Sequence, residues 1–174
     1  MHNLYSHIYL FFFPLIIGNV SHMVIVNQNW LQDLAVPISK NLFGYNKTYR
    51  GVIVLPIITG LIAMISSLFF GPFELSIVYD TYVGLGLGLA YVLAELTNSY
   101  IKRRLGIANG EQSNKYRYLQ YFTDKADSLI GVLGFYFLVT EVSFTTIVLM
   151  FIISMILHVG ISQLLVLFKI KRKF

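Results

Sequence analysis

With 174 residues, 56% hydrophobic and 12% charged, the chain is too apolar for an ordinary soluble domain, which carries roughly 25% charged residues. A mean hydropathy of +0.69 and long apolar runs place it in a membrane as a single domain over 1–174, because several spans of about 20 residues use most of the length. The absence of cysteine excludes disulfides, thiolate metal sites and a cysteine nucleophile.

The first apolar run, 5–26, has no basic residue before it and no small-residue cleavage site, so it reads as a retained span. Its His22 reads as a polar residue bonding a neighbouring helix. A polar connection follows over 27–50, in which 31–38 is too short to span and suits the interface or a re-entrant turn. The second span, 52–70, carries Pro56 in its first turns, where a missing amide donor costs least. A short connector with Glu74 and Asp80 leads to the third span, 81–101. Gly84 and Gly88, four apart in that helix, read as a close-packing face and not as a dinucleotide fingerprint, which needs a strand and a turn. A polar segment over 102–123 precedes a fourth span, 124–142, and a fifth, 144–168, before the basic end KIKRKF. His158, mid-span in the fifth, has no charged partner near it in sequence and reads as structural.

Five spans put the two long polar connections and the C-terminus on one side. All 13 Lys and Arg residues fall on that side or at its edge, while Glu74, Asp80 and Glu141 mark the other. This is the positive-inside pattern, so the expected fold is an all-α, multi-pass integral protein of the cell membrane. It has about five transmembrane helices and two cytoplasmic polar loops. The net charge of +5 is then largely topological and gives no reason to expect nucleic acid. KIKRKF is read as such a topology signal.

The chemistry concentrates in 95–128. Glu95, Ser99, Lys102 and Arg103 fall at i, i+4, i+7 and i+8, one helix face. On the next helix Asp124, Asp127, Gly131 and Gly134 share a face whose glycines would let the Glu95 helix approach. A carboxylate at membrane depth is costly and reads as functional, although Asp124 and Asp127 near a helix start also gain from its dipole. Three carboxylates without His or Cys suit a hard, oxygen-preferring cation such as Mg2+, which takes one or two carboxylates plus substrate phosphates. Arg forks and Lys point charges nearby suit a polyphosphate. Neither a GxxxxGK[ST] loop nor a kinase signature is present. The residues by themselves thus describe a metal- and phosphate-handling site at the cytoplasmic membrane surface.

Three motifs add a resemblance. Asn46-Lys47-Thr48-Tyr49-Arg50-Gly51 resembles the NKTWRG segment of archaeal CDP-archaeol synthases, with Tyr49 in place of Trp. Residues 99–107, SYIKRRLGI, resemble their SFIKRRxGI segment, and Asp124-Lys125-Ala126-Asp127-Ser128 resembles their D-x-x-D and the DRxDS of the related CDP-diacylglycerol synthases. The motifs keep the family's order between spans. Ala94-Glu95 stands where the family has Gly-Asp, and Asn98 where it has a basic or small residue. No His-Gly-Gly precedes Asp124, which favours the archaeol-type branch.

The resemblance implies cytidylyl transfer from CTP to a lipid phosphate among membrane lipids, giving CDP-lipid and pyrophosphate. Asp124, Asp127, Lys47 and Lys102 are the implied catalytic residues, and Glu95, Asp124 and Asp127 the implied Mg2+ ligands. Asn46, Thr48, Arg50, Gly51, Ser99, Arg103 and Arg104 are the implied substrate-binding residues. Asn46 and Thr48 also suit a helix cap. Two other readings stand beside this one: a CTP-dependent lipid kinase, and a small transporter or assembly subunit whose buried acids carry protons. The transporter reading lacks a discontinuous-helix or inverted-repeat signal.

Overall fold

A computed structural model describes residues 4–73, 76–109, 111 and 117–170. Glu74, Lys115 and the Lys171, Arg172 and Lys173 tail lie outside the described residues. The chain opens with α1 (Leu4–His7), a π-helical turn (Ile8–Phe12) and α2 (Phe13–Asn27). Pro14 explains the widened turn: it has no N–H to donate to the preceding turn, and its ring crowds the carbonyl there. After one 3-10 turn (Gln32–Leu34) come α3 (Tyr49–Phe70), α4 (Ile77–Arg104), α5 (Arg117–Val139) and α6 (Phe144–Leu167). Ser76 caps α4 by accepting from the Tyr79 amide at 3.1 Å, and Ser143 caps α6 by accepting from that of Thr146 at 3.2 Å.

Among the described residues, four helical stretches are long and apolar enough to cross a membrane: Ile8–Asn27, Tyr49–Phe70, Ile77–Arg104 and Phe144–Leu167. The protein is therefore an all-helical integral membrane protein. The fifth expected span, α5, is a 23-residue helix whose first half carries Asp124, Lys125 and Asp127. Several helix ends differ from the expected spans. α4 runs on through Lys102, Arg103 and Arg104, since basic side chains complement the negative end of the helix dipole. α5 begins at Arg117 and not at Asp124, because polarity marks where apolar sequence stops, not where helical hydrogen bonding does. α3 begins at Tyr49, which leaves Pro56 inside the helix and not in its first turn.

Small residues set the packing. A Cβ on Gly84 would stand 2.4 Å from the Ala63 Cβ, and one on Gly88 would stand 2.5 Å from the Pro56 Cα, so α3 and α4 touch backbone to backbone. A Cβ on Gly131 would meet the Ala94 Cβ at 2.5 Å, which brings α5 against α4 just above Glu95. Gly134 has nothing within 4 Å of its Cβ position, so this approach rests on one glycine instead of the expected two. The core between the helices is Leu10, Phe11, Leu55, Leu87, Val132, Tyr136 and Met150. α6 packs chiefly on α5 and leaves Leu149, Ile152 and Ile156 exposed, as suits a lipid-facing helix.

The two ends of this bundle differ. At one, the buried His7 ring shares a 2.8 Å hydrogen bond with the buried Tyr136 hydroxyl. There the Phe73 amide donates to the fully buried Asp80 at 2.9 Å, and the Tyr79 hydroxyl donates to the Val139 carbonyl. The other end carries the long polar connections. A Cβ on Gly44 would stand 2.8 Å from the Asn109 side chain, so the segments before α3 and after α4 meet there.

Candidate functional site

The 28–48 connection is folded back on itself. Pro37 and Thr48 form an isolated antiparallel bridge, the Ile38 amide donates to the Lys47 carbonyl at 2.9 Å, and the Tyr49 amide donates to the Val36 carbonyl at 3.1 Å. Gly44, at φ 89°, takes the left-handed turn that a side chain would resist. These bonds hold Asn46–Gly51 over one end of the bundle. The expected interfacial stretch 31–38 is a folded connection with Leu31 and Val36 exposed. Thr48 occupies the N-cap position of α3, but its side chain makes no capping bond. Arg50, 8% exposed in the first turn, donates from Nη1 to the Trp30 carbonyl at 2.9 Å, which ties the connection to α3.

Two ion pairs face this segment from α4 and α5. Lys47 Nζ lies 2.5 Å from Glu95 Oε2. Lys102 pairs with Asp124 Oδ1. Asn98 Nδ2 donates to Asp124 Oδ1 at 2.8 Å and to Asp127 Oδ2 at 2.7 Å, so one amide bridges both aspartates. The other oxygen of Asp127 accepts from the Ser128 amide at 2.6 Å. The two aspartates are thus gathered into one group, while Glu95 belongs to Lys47. Among the described residues no group of three His, Asp or Glu side chains stands together as a metal set; Glu95 pairs with Lys47, and Asn98 joins Asp124 to Asp127. The two aspartates by themselves form an oxygen-only pair that fits a hard cation.

Behind these groups lies a cavity of about 700 Å3. Asn46, Lys47, Thr48, Arg50, Gly51, Glu95 and Asp124 line it at the polar end, and Phe11, Phe12, Leu15, Leu55 and Val132 line it in the interior. A charged mouth over an apolar interior accommodates an amphiphile: anionic head among the cations, hydrocarbon inside. The remaining expected residues fall elsewhere. Ser99 is half-buried on α4 and does not line the cavity. An Arg103 Nη1 lies 3.5 Å from the Gly44 Cβ position, beneath the folded connection. Arg104 turns to the surface, where Nε donates to the Tyr100 hydroxyl at 2.9 Å and the guanidinium lies 5.2 Å from that ring.

Other site residues escaped sequence reasoning. Asn98 was legible only as a departure from a motif. Its spacing of four from Lys102 was the available signal, since both side chains reach Asp124. Lys125 is buried, lines the cavity and donates to Ser162 Oγ at 3.3 Å. His22 and His158, both read as structural, line the same cavity, and His22 Nε2 lies 3.6 Å from the Gly51 Cβ position. Tertiary packing from α2 and α6, which no local pattern encodes, puts them there.

Neither a curated protein nor a solved structure matches the chain. The sequence model of the CarS-like CDP-archaeol synthases matches residues 1–173, essentially its whole length. With its three motifs brought to one end of a helical membrane bundle, the chain belongs to the CDP-archaeol synthase family.

Proposed function

We propose that this protein transfers CMP from CTP to a lipid phosphate at the cytoplasmic face of the cell membrane, releasing pyrophosphate and leaving a CDP-lipid. The archaeol-type isoprenoid ether phosphate is the favoured acceptor, with a phosphatidate-like lipid as the other candidate. The observation that carries this reading is the cavity, whose mouth gathers Lys47, Arg50, Glu95 and Asp124 from separate elements above an apolar interior. Family membership supports CTP as the nucleotide. The gathering of every Lys and Arg toward one side in sequence supports a cytoplasmic mouth.

The lipid phosphate has a second pKa near 6, so it is largely dianionic at neutral pH and needs no strong base to attack the α-phosphorus of CTP. The protein's task is to hold two repelling anions in line and offset charge on the leaving pyrophosphate. Lys47 is a mobile point charge beside Glu95, and Arg50 is anchored through one nitrogen to Trp30, leaving the rest of its fork for phosphate oxygens. Lys102 pairs with Asp124, which lines the mouth. Asp124 and Asp127 would hold Mg2+, which when bound supplies further neutralisation of the triphosphate. The apolar interior would orient the lipid so that its phosphate meets the cations.

The test is incubation of purified protein with CTP, Mg2+ and, separately, ether-isoprenoid, diacyl and single-polyprenyl phosphates, followed by mass spectrometry of the organic phase. A CDP-lipid is expected with the ether-isoprenoid acceptor. No CDP-lipid from any acceptor, with the protein folded, would overturn the reading.

A further inference from the structure

Asn98 is the residue the two aspartates share, and its chemistry is ambivalent. A primary amide carries two N–H donors and one carbonyl oxygen, and half a turn about its terminal bond exchanges them. Here both donors are spent on carboxylates, 2.8 Å to Asp124 and 2.7 Å to Asp127. Two carboxylates brought this close repel, and the bridging amide together with Lys102 on Asp124 offsets that repulsion. A cation between the aspartates would take over the same task. The amide donors would then face positive charge, while the amide oxygen would become a favourable ligand.

We propose that Asn98 is the third protein ligand of the cation site, an inference that rests on the function proposed above. Its N–H groups here hold Asp124 and Asp127 together. With the cation bound, the side chain turns over and presents its carbonyl oxygen. Hard cations accept amide carbonyl oxygens alongside carboxylates. The remaining carboxylate of the expected trio, Glu95, is engaged by Lys47, so the ligand place it was expected to fill passes to an amide one turn further along the same helix. Lys125, between the two aspartates in sequence, donates to Ser162 Oγ on α6 at 3.3 Å.

The test uses Mn2+ alone as the probe, on the full chain in detergent without CTP or lipid. Binding is followed by electron paramagnetic resonance, with the asparagine side chains labelled with 13C at the amide carbon. Wild-type protein is expected to bind Mn2+ and to show a 13C coupling, and Asn98→Leu to lose the coupling and about 10- to 100-fold in affinity. Asp127→Ala is the control that weakens binding without touching the label. Bound Mn2+ with no 13C coupling in the wild type, or unchanged affinity in Asn98→Leu, would overturn the proposal. Asn98→Gln keeps the amide but carries no label, and is expected to bind Mn2+ without the coupling, so poor folding of Asn98→Leu leaves the question decidable. Mn2+ bound with the coupling, in a protein that makes no CDP-lipid, would overturn the proposed activity and leave the ligand assignment standing.

Discussion

Similar polar groups do different work at the two ends of this bundle. At the far end Asp80 and Tyr136 are completely buried and His7 nearly so, each tied to a hydrogen-bond partner among packed aromatic rings. At the near end the side chains of the Lys47–Glu95 pair are 25% and 34% exposed, and those of Lys102–Asp124 are 19% and 33% exposed. A group sealed from water and bonded has no cheap alternative, so it holds structure. A half-open ion pair contributes only about 0–1 kcal/mol to stability, and its partners can be exchanged for a ligand's charges at little cost. Burial, not residue type, separates the two roles.

The largest effect that can break this contrast is expected at the aspartates. Asp127→Asn should lower kcat by about 10²- to 10³-fold, the scale for removing one charge-stabilising group from a site, with its unfolding midpoint in detergent unchanged. A matching fall in midpoint would mean that the near end is structural too. Lys47→Ala should follow, with kcat/KM for CTP reduced by about 10- to 100-fold and little change in stability, because it removes one charge-assisted contact to phosphate. At the far end the signs reverse. Tyr136→Phe should cost about 1 kcal/mol of stability by denaturant titration and leave kcat/KM for CTP as it was. Arg104→Ala should do least, under about twofold in rate, since its guanidinium is spent on the exposed Tyr100.

Much of this arrangement was legible in the residues. Continuous apolar runs announced four of the five expected spans, because a lipid-facing helix must be apolar nearly all round. The four-residue spacing of Gly84 and Gly88 announced the α3–α4 contact, because only glycine admits a neighbouring backbone so closely. The motif order placed Asn46–Gly51 and Asp124 together, and both line the cavity. What failed to show depends on tertiary packing. Asp80 reads as a connector residue by its charge, yet it is sealed inside because it accepts the Phe73 amide as the chain enters α4. Glu95 reads as a partner for the aspartates, yet the folded 28–48 connection delivers Lys47 to it first. His22 reads as an interhelical bond and instead faces the site, since a span shows its period but not which of its neighbours that face will meet.

The most direct test of the account follows two phosphorus labels through one reaction. Protein, Mg2+ and an ether-isoprenoid phosphate are incubated in parallel with CTP labelled at the α- or the γ-phosphorus, and the organic phase is counted. Cytidylyl transfer predicts α-label in the lipid and γ-label in released pyrophosphate, with the lipid label abolished in Asp124→Asn. Label from the γ-position in the lipid, or α-label that persists undiminished in Asp124→Asn, would contradict it.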